Sequence, residues 1–388
     1  MSVIIGLTLG LSSMYSSLHG QSVSDASDWT SSPLEAPVIT SDITRFWHAF
    51  DLAMEQPGNP FDSGYLRNGS PGVQHFLAHN RIVNADTLLA TVRRRKQDYL
   101  AIRTRTLQIH KTEKSIRAAY FAFKYLYPQA VFPPVYFVIG RFTTGGTSNE
   151  AGQIIGAEMN SLAAIPPTVA HELIHANQHI PYKYRILLEQ CIIEGSADFL
   201  GELISGKIAS TEAYSYAKGR EKWLWEDFKK DMNLGENDSF SNWLYGGTRK
   251  DDRPADMGYY IGYAITKAYY DKAPDKMKAV DDILHITDCR AFLQASGYDA
   301  LVENSRDTSK APGHETDMQS VTFTCSRCAA KNRFMVSGPK HEMLKNQRFP
   351  ITLKLPLGQY KMKYIEHGVQ QIDLPFAVDG EKNTIRVK

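Results

Sequence analysis

Cysteine is scarce in this chain of 388 residues: the four present, Cys191, Cys289, Cys325 and Cys328, are too few for a disulfide framework to stand in for a hydrophobic core. Long hydrophobic runs are lacking too. Beyond the N-terminus no stretch of about 18 uncharged apolar residues occurs, which excludes an internal membrane-spanning helix. Charge of one sign is not in excess, since 44 Lys and Arg stand against 42 Asp and Glu. That balance lacks the concentrated positive field that nucleic-acid binding needs. No GxxxxGK[ST], GxGxxG or GxSxG pattern occurs, so P-loop, dinucleotide and serine-hydrolase readings have no footing. What is present is globular stock: 43% hydrophobic and 22% charged residues, enough apolar surface for a full core and against wholesale disorder.

The first 23 residues hold no Lys, Arg, Asp or Glu and carry an apolar run from Val3 to Leu11, the pattern of a signal peptide over residues 1–21. Export to a periplasm or the medium is therefore expected. Gln21 stands where a lipid anchor would need Cys. Residues 22–60 open with a Ser-, Thr-, Asp- and Pro-rich stretch and read as a solvated lead-in. From Thr87 to Tyr127 the apolar positions predict two amphipathic helices whose basic cluster, Arg93 to Lys96, faces solvent. Val135 to Gly140 reads as a buried strand and Gln153 to Ala157 as a second, with Gly145-Gly146 breaking the chain between them. Helices are then predicted over Thr168–His179, Tyr182–Ile204, Ser210–Met232, Met257–Tyr270 and Ala279–Gln294.

Residues 305–318 read as a linker. Beyond it the apolar period changes to two in Ile351–Leu355, Tyr360–Tyr364 and Thr384–Lys388, with turns at His367-Gly368 and Asp379-Gly380. The expected architecture is α+β: a mainly helical domain over 61–304 with a small sheet, then an all-β, sandwich-like module over 319–388. Cys325 and Cys328 form a CxxC with no second pair at zinc-ribbon spacing, so a local disulfide or two plain thiols are expected there.

Residues 171–175 read His-Glu-Leu-Ile-His. One helical turn separates His171 from His175, so both imidazoles can reach one Zn²⁺, and Glu172 projects beside the metal where it can polarise a water. Thr168, after Pro166-Pro167, is placed to cap this helix. Catalytic zinc needs a third protein ligand and an open position. Glu194 on the next helix fits that need once Pro181 has ended the first, and Asp198, one turn further, can accept a hydrogen bond from a ligating imidazole. His179 continues the same row, but its Cα lies about 12 Å along the axis from that of His171, too far for the same ion.

HELIH followed by EGSAD resembles the gluzincin metallopeptidases, the thermolysin-like group with HExxH and ExxxD. More narrowly, GRFTTGG, IIGAEM, HELIH, EGSADF and PADMGYYIGY together resemble a family of predicted zinc-dependent peptidases of exported bacterial proteins, from about Gly140 to Tyr263. The resemblance implies a zincin-like fold, one zinc per chain on His171, His175 and Glu194, Glu172 as the catalytic base, and a peptide or protein substrate. It also points to a tyrosine as the oxyanion donor, because other gluzincins use a Tyr three before a Gly. Tyr259, three before Gly262, fits first and Tyr260 second. The strand at Gln153–Ala157 is expected to line the cleft with a free edge. Two further readings stay open on sequence alone: a binding or adhesion scaffold without catalysis, and a zinc hydrolase of a non-peptide bond.

Overall fold

Ile43, Phe46, Trp47 and Phe50 are all buried and fall at i, i+3, i+4 and i+7, the spacing of one helical face. They belong to helix α1 (Ser41–Glu55), so the expected lead-in of residues 22–60 contains a packed helix. The polar composition of its first half hid that stripe. The computed structural model describes residues 29–209, 211–246, 253–308 and, beyond these, 318–325, 333–337, 344–348, 350–356, 358–366, 370–378 and 384–387. The expected signal peptide, Cys328 and the turns at His367-Gly368 and Asp379-Gly380 lie outside the described residues.

After strand β1 (Val38–Ile39) and α1 come α2 (Pro71–Ala78), α3 (Ala85–Arg94), α4 (Lys96–Leu107) and α5 (Glu113–Leu126). The stretch expected to hold two helices thus holds three, broken at Arg95 and by a short 3₁₀ turn over Ile109–Thr112. Strands β2 (Val135–Val138), β3 (Gly146–Asn149) and β4 (Gly152–Gly156) follow, then α6 (Ile165–Asn177) and α7 (Leu187–Ser205). Next come α8 (Glu212–Ala217), α9 (Glu221–Asp231), α10 (Met257–Lys272), α11 (Lys276–Leu284), α12 (Cys289–Ser296) and α13 (Tyr298–Glu303). A single helix was expected over Ser210–Met232, but Gly219 takes φ +75° and separates α8 from α9. The one expected over Ala279–Gln294 is two, because Asp288 caps a new start at the Arg290 and Ala291 amides.

By contact density the chain divides into two units, one of residues 1–180, 196–209 and 273–286, the other of 181–195, 210–272 and 287–388. The division passes through α7, which is one continuous helix. In the first unit the sheet order is β1-β2-β4-β3. β1, β2 and β4 run parallel, and β3 pairs antiparallel with β4, Gly146 opposite Ile155. β2 is buried at all four positions, hence its unbroken apolar run. The expectation that Gln153–Ala157 offers a free edge is overturned: β4 is paired on both sides. Beyond β4 the edge on that side is β3, whose Gly-Thr-Ser-Asn has weak strand propensity and read as a break. The loop after β2 is held by the buried Glu158 carboxylate, which accepts from the Gly140 and Phe142 amides. Burial raises that carboxyl to about 7.

In the second unit, helix α10 crosses the first half of α7 at glycines. A Cβ on Gly262 would stand 1.7 Å from the Cys191 carbonyl oxygen, and one on Gly195 would stand 2.1 Å from the Tyr263 nitrogen. Only backbone without side chains fits there. Cys191 is fully buried at this crossing, and burial drives its thiol well above the ordinary range. Trp225, Phe228 and Trp243 pack edge to face and stacked, with Arg253 over the Trp243 ring and ion-paired to Asp227. The Asp307 carboxylate accepts from the Lys222 and Trp223 amides at the start of α9.

The C-terminal strands are β5 (Met318–Cys325), β6 (Arg333–Ser337), β7 (Leu344–Arg348), β8 (Ile351–Pro356), β9 (Gly358–Glu366), β10 (Gln370–Val378) and β11 (Thr384–Val387). They form sheets of order β10-β9-β6-β7 and β11-β5-β8. Val321 and Phe323 on β5, and Tyr360 and Met362 on β9, are buried at alternate positions, the period of two that the sequence shows. The protein is therefore mixed α+β, and among the described residues no helix is long and apolar enough to cross a membrane.

Candidate metal centre

Helix α6 begins at Ile165, three residues before the expected cap, with Pro166 and Pro167 in its first turn, where missing N–H groups cost nothing. Thr168 lies inside the helix and its hydroxyl contacts Asn160 and the Ala164 carbonyl instead. Val169, Ala170, Leu173 and Ile174 are fully buried, which turns the other face, with His171 and His175, outward. The two imidazoles meet edge to face at 4.6 Å between centroids.

Each ring is fixed by its Nδ1. Asp198 on α7 stands 2.7 Å from the Nδ1 of His171, as expected. Gln178 Oε1 stands 2.7 Å from the Nδ1 of His175, and the Gln178 amide nitrogen donates to Ser196 Oγ, which fixes the amide's orientation. A carboxylate and an amide oxygen can only accept, so both histidines carry their proton on Nδ1. Nε2 is then the ring atom each histidine can offer to a metal, and the two Nε2 atoms stand 2.9 Å apart. Two nitrogens bound tetrahedrally to one zinc stand about 3.3 Å apart, so only a small adjustment separates this pair from a metal-binding geometry.

Glu194 lies one turn before Asp198 on the continuous α7, and ligand atoms of His171, His175 and Glu194 lie within 4.8 Å of one another. Gln190 donates to the Glu194 carboxylate at 3.1 Å and accepts from the Tyr182 hydroxyl at 2.5 Å. Gly201 lets α7 pass close to α6, since a Cβ there would reach 3.2 Å from the His171 nitrogen. The donor set, two imidazole nitrogens and one carboxylate with oriented outer partners, fits zinc with an open position.

Glu172 is 5% exposed, and its carboxylate rests against β3, where a Cβ on Gly146 would stand 2.5 Å from Oε1. Gly146 is thus part of the site. Gln178, Gln190 and Gly146 were not singled out in the sequence, although Gln178 follows His175 at helical spacing. His179 falls beyond the end of α6 and stacks on His285 at 5.0 Å, away from the cluster. Tyr260 packs edge-on to Tyr214, and burial raises the pKa of its hydroxyl. Tyr263 meets the same Tyr214 ring at 4.9 Å. At the start of α10, Asp256 accepts from the Gly246 amide through its side chain and from the Tyr259 amide through its carbonyl.

A family model described as "Predicted Zn-dependent protease (DUF2268)" matches residues 140–284. The match runs from the loop after β2 to the end of α11 and covers α6 and α7, so the chain is similar to a zinc-dependent protease family over the elements that carry the cluster. No curated protein and no solved structure matches the chain.

Proposed function

We propose that the protein is a zinc metallopeptidase of gluzincin type, with a zincin-like catalytic domain, that hydrolyses peptide bonds. The observation that carries this reading is the gathering of ligand atoms of His171, His175 and Glu194 within 4.8 Å of one another, with the two rings oriented by Asp198 and Gln178. His171, His175 and Glu194 are the ligands. Zinc there supplies Lewis acidity, acidifying water and polarising the scissile carbonyl. Glu172 takes the proton of the attacking water and returns it to the leaving amine. Asp198 and Gln178 hold the imidazole rings in the tautomer that leaves Nε2 to the metal. Tyr259 is the proposed donor to the developing oxyanion, with Tyr260 second.

Substrate is proposed to lie along β3, whose edge can pair with an extended peptide. The C-terminal strands are assigned to a sandwich-like accessory module, joined through a linker at 305–318, and the protein to an exported location.

Glu172→Gln is the test. The amide is nearly isosteric but cannot accept a proton, so the variant should retain about one zinc per chain while peptide-library digestion falls by orders of magnitude. Chelator should abolish wild-type digestion. Wild-type turnover in Glu172→Gln would remove the general base from this scheme, and zinc-free wild-type protein would remove the scheme itself.

A further inference from the structure

Beside β3 lies a second polar cluster that the proposed chemistry does not use. Asn149, the last residue of β3, accepts through Oδ1 from the Ala151 and Gly152 amides at 3.0 and 3.2 Å. That fixes its orientation, and its amide nitrogen faces His75 Nδ1 at 2.5 Å. Nδ1 is therefore the acceptor. The ring is neutral at ordinary pH, since burial, then His79 and Arg81, pull its pKa down to about 4. A neutral imidazole that accepts at Nδ1 carries its hydrogen on Nε2.

Arg81 NH1 stands 3.1 Å from that same Nε2. Two N–H donors thus lie side by side with no acceptor between them. The guanidinium is oriented by Nε, which donates to Thr144 Oγ1 at 3.0 Å, and the backbone beneath it is held by Arg141, which donates to the Arg81 and Asn80 carbonyls. Among the described residues no carboxylate forms an ion pair with Arg81. Burial lowers its pKa, and the Glu172 carboxylate, near enough to act on it, opposes that shift. A partly desolvated guanidinium that no carboxylate contacts directly, next to an imidazole N–H, offers two donors to an incoming anion. Asn149 ends β3 and Thr144 precedes it, so the pair lies along the strand proposed to receive substrate.

We propose that Arg81 and His75 form a carboxylate-binding subsite that reads an acidic group of the peptide substrate. The proposal rests on the peptidase reading for its choice of ligand. The carboxylate takes an N–H from Arg81 and the Nε2–H of His75, replacing a donor-to-donor contact by two charge-assisted hydrogen bonds. Two sources share this chemistry, a free C-terminus and an Asp or Glu side chain.

The test is isothermal titration of metal-free protein with three probes: N-acetyl-Ala-Ala-Phe as the free acid, its C-terminal amide, and N-acetyl-Ala-Glu-Phe amide. One acidic probe should bind at least about tenfold more tightly than the neutral amide, as expected for a charge-assisted pair. Preference for the free acid identifies the C-terminus, and preference for the Glu peptide an acidic side chain. In Arg81→Gln the acid-to-neutral ratio should fall to within about twofold, and Arg81→Lys should restore part of it. Because the ratio is taken within each variant, a partly unfolded preparation does not mimic the result. Equal or undetectable binding of all three probes to wild type, or an unchanged ratio in Arg81→Gln, overturns the proposal. Binding is read without metal, so a zinc-free or inactive protein strikes the peptidase reading and leaves this outcome legible.

Discussion

Gly262→Ala is the sharpest test of the α7–α10 crossing. The added Cβ would lie 1.7 Å from the Cys191 carbonyl oxygen and 2.4 Å from its carbon, against an ordinary contact of about 3.4 Å or more. The obstacle is backbone, so no rotamer change relieves it and the helices must part by more than an ångström. Overpacking into a well-packed core costs about 1–3 kcal/mol when side chains can yield. Here the cost should reach about 3 kcal/mol or more, a drop in Tm of about 6–12 °C at the usual sensitivity of domains this size. Gly195→Ala meets the same wall from the other helix and should match it. Gly235→Ala, whose nearest neighbour is the Asp238 carboxylate at 3.9 Å, serves as the mild control. Glu194 adjoins Gly195, so the two crossing variants should also bind zinc more weakly. Urea and thermal unfolding by circular dichroism, with metal analysis, read all three. Melting of Gly262→Ala within about 1 °C of wild type would refute the crossing.

Glu158→Gln should change stability only at high pH. The native carboxyl holds its proton to about 7 against 4.5 for the free group. Between these values the unfolded chain binds fewer protons than the native one, and stability falls as pH rises. Wild type should therefore lose up to about 3 kcal/mol relative to the variant between pH 4 and 8. Parallel stability curves would deny the burial of that charge. Asp198→Ala should weaken zinc about 10–100-fold by freeing the His171 ring, measured by chelator competition; an unchanged Kd would detach Asp198 from the metal's support. A chain ending at Thr308 should fold and keep zinc, because it retains the Asp307 bonds to the α9 amides. Aggregated or metal-free product would show that the strands beyond are needed by the rest.

The histidine helix and its partner were legible because HELIH and EGSAD set their polar residues at helical spacing, and their cores, from Val169 to Ile174 and around Ile192, are apolar at the matching positions. Asp198 followed from the same periodicity. Other parts left weaker marks. The helix at Ser41–Glu55 sits behind a polar approach, and its four-residue stripe is short. β3 is built of Gly, Thr, Ser and Asn, which pair through backbone and advertise nothing by side chain. Arg81 and His75 come to Asn149 from across the fold, a proximity no local pattern encodes. Glycines at 146, 195 and 262 carry their meaning in what approaches them.

The buried thiol of Cys191 gives this molecule an internal clock. A thiol held protonated and covered by α10 does not react with maleimide or disulfide reagents while the helices stay together. It is labelled only when they separate. Mass mapping of label at Cys191 against time therefore measures how often the crossing opens, and under conditions where labelling is fast that rate is the opening rate itself.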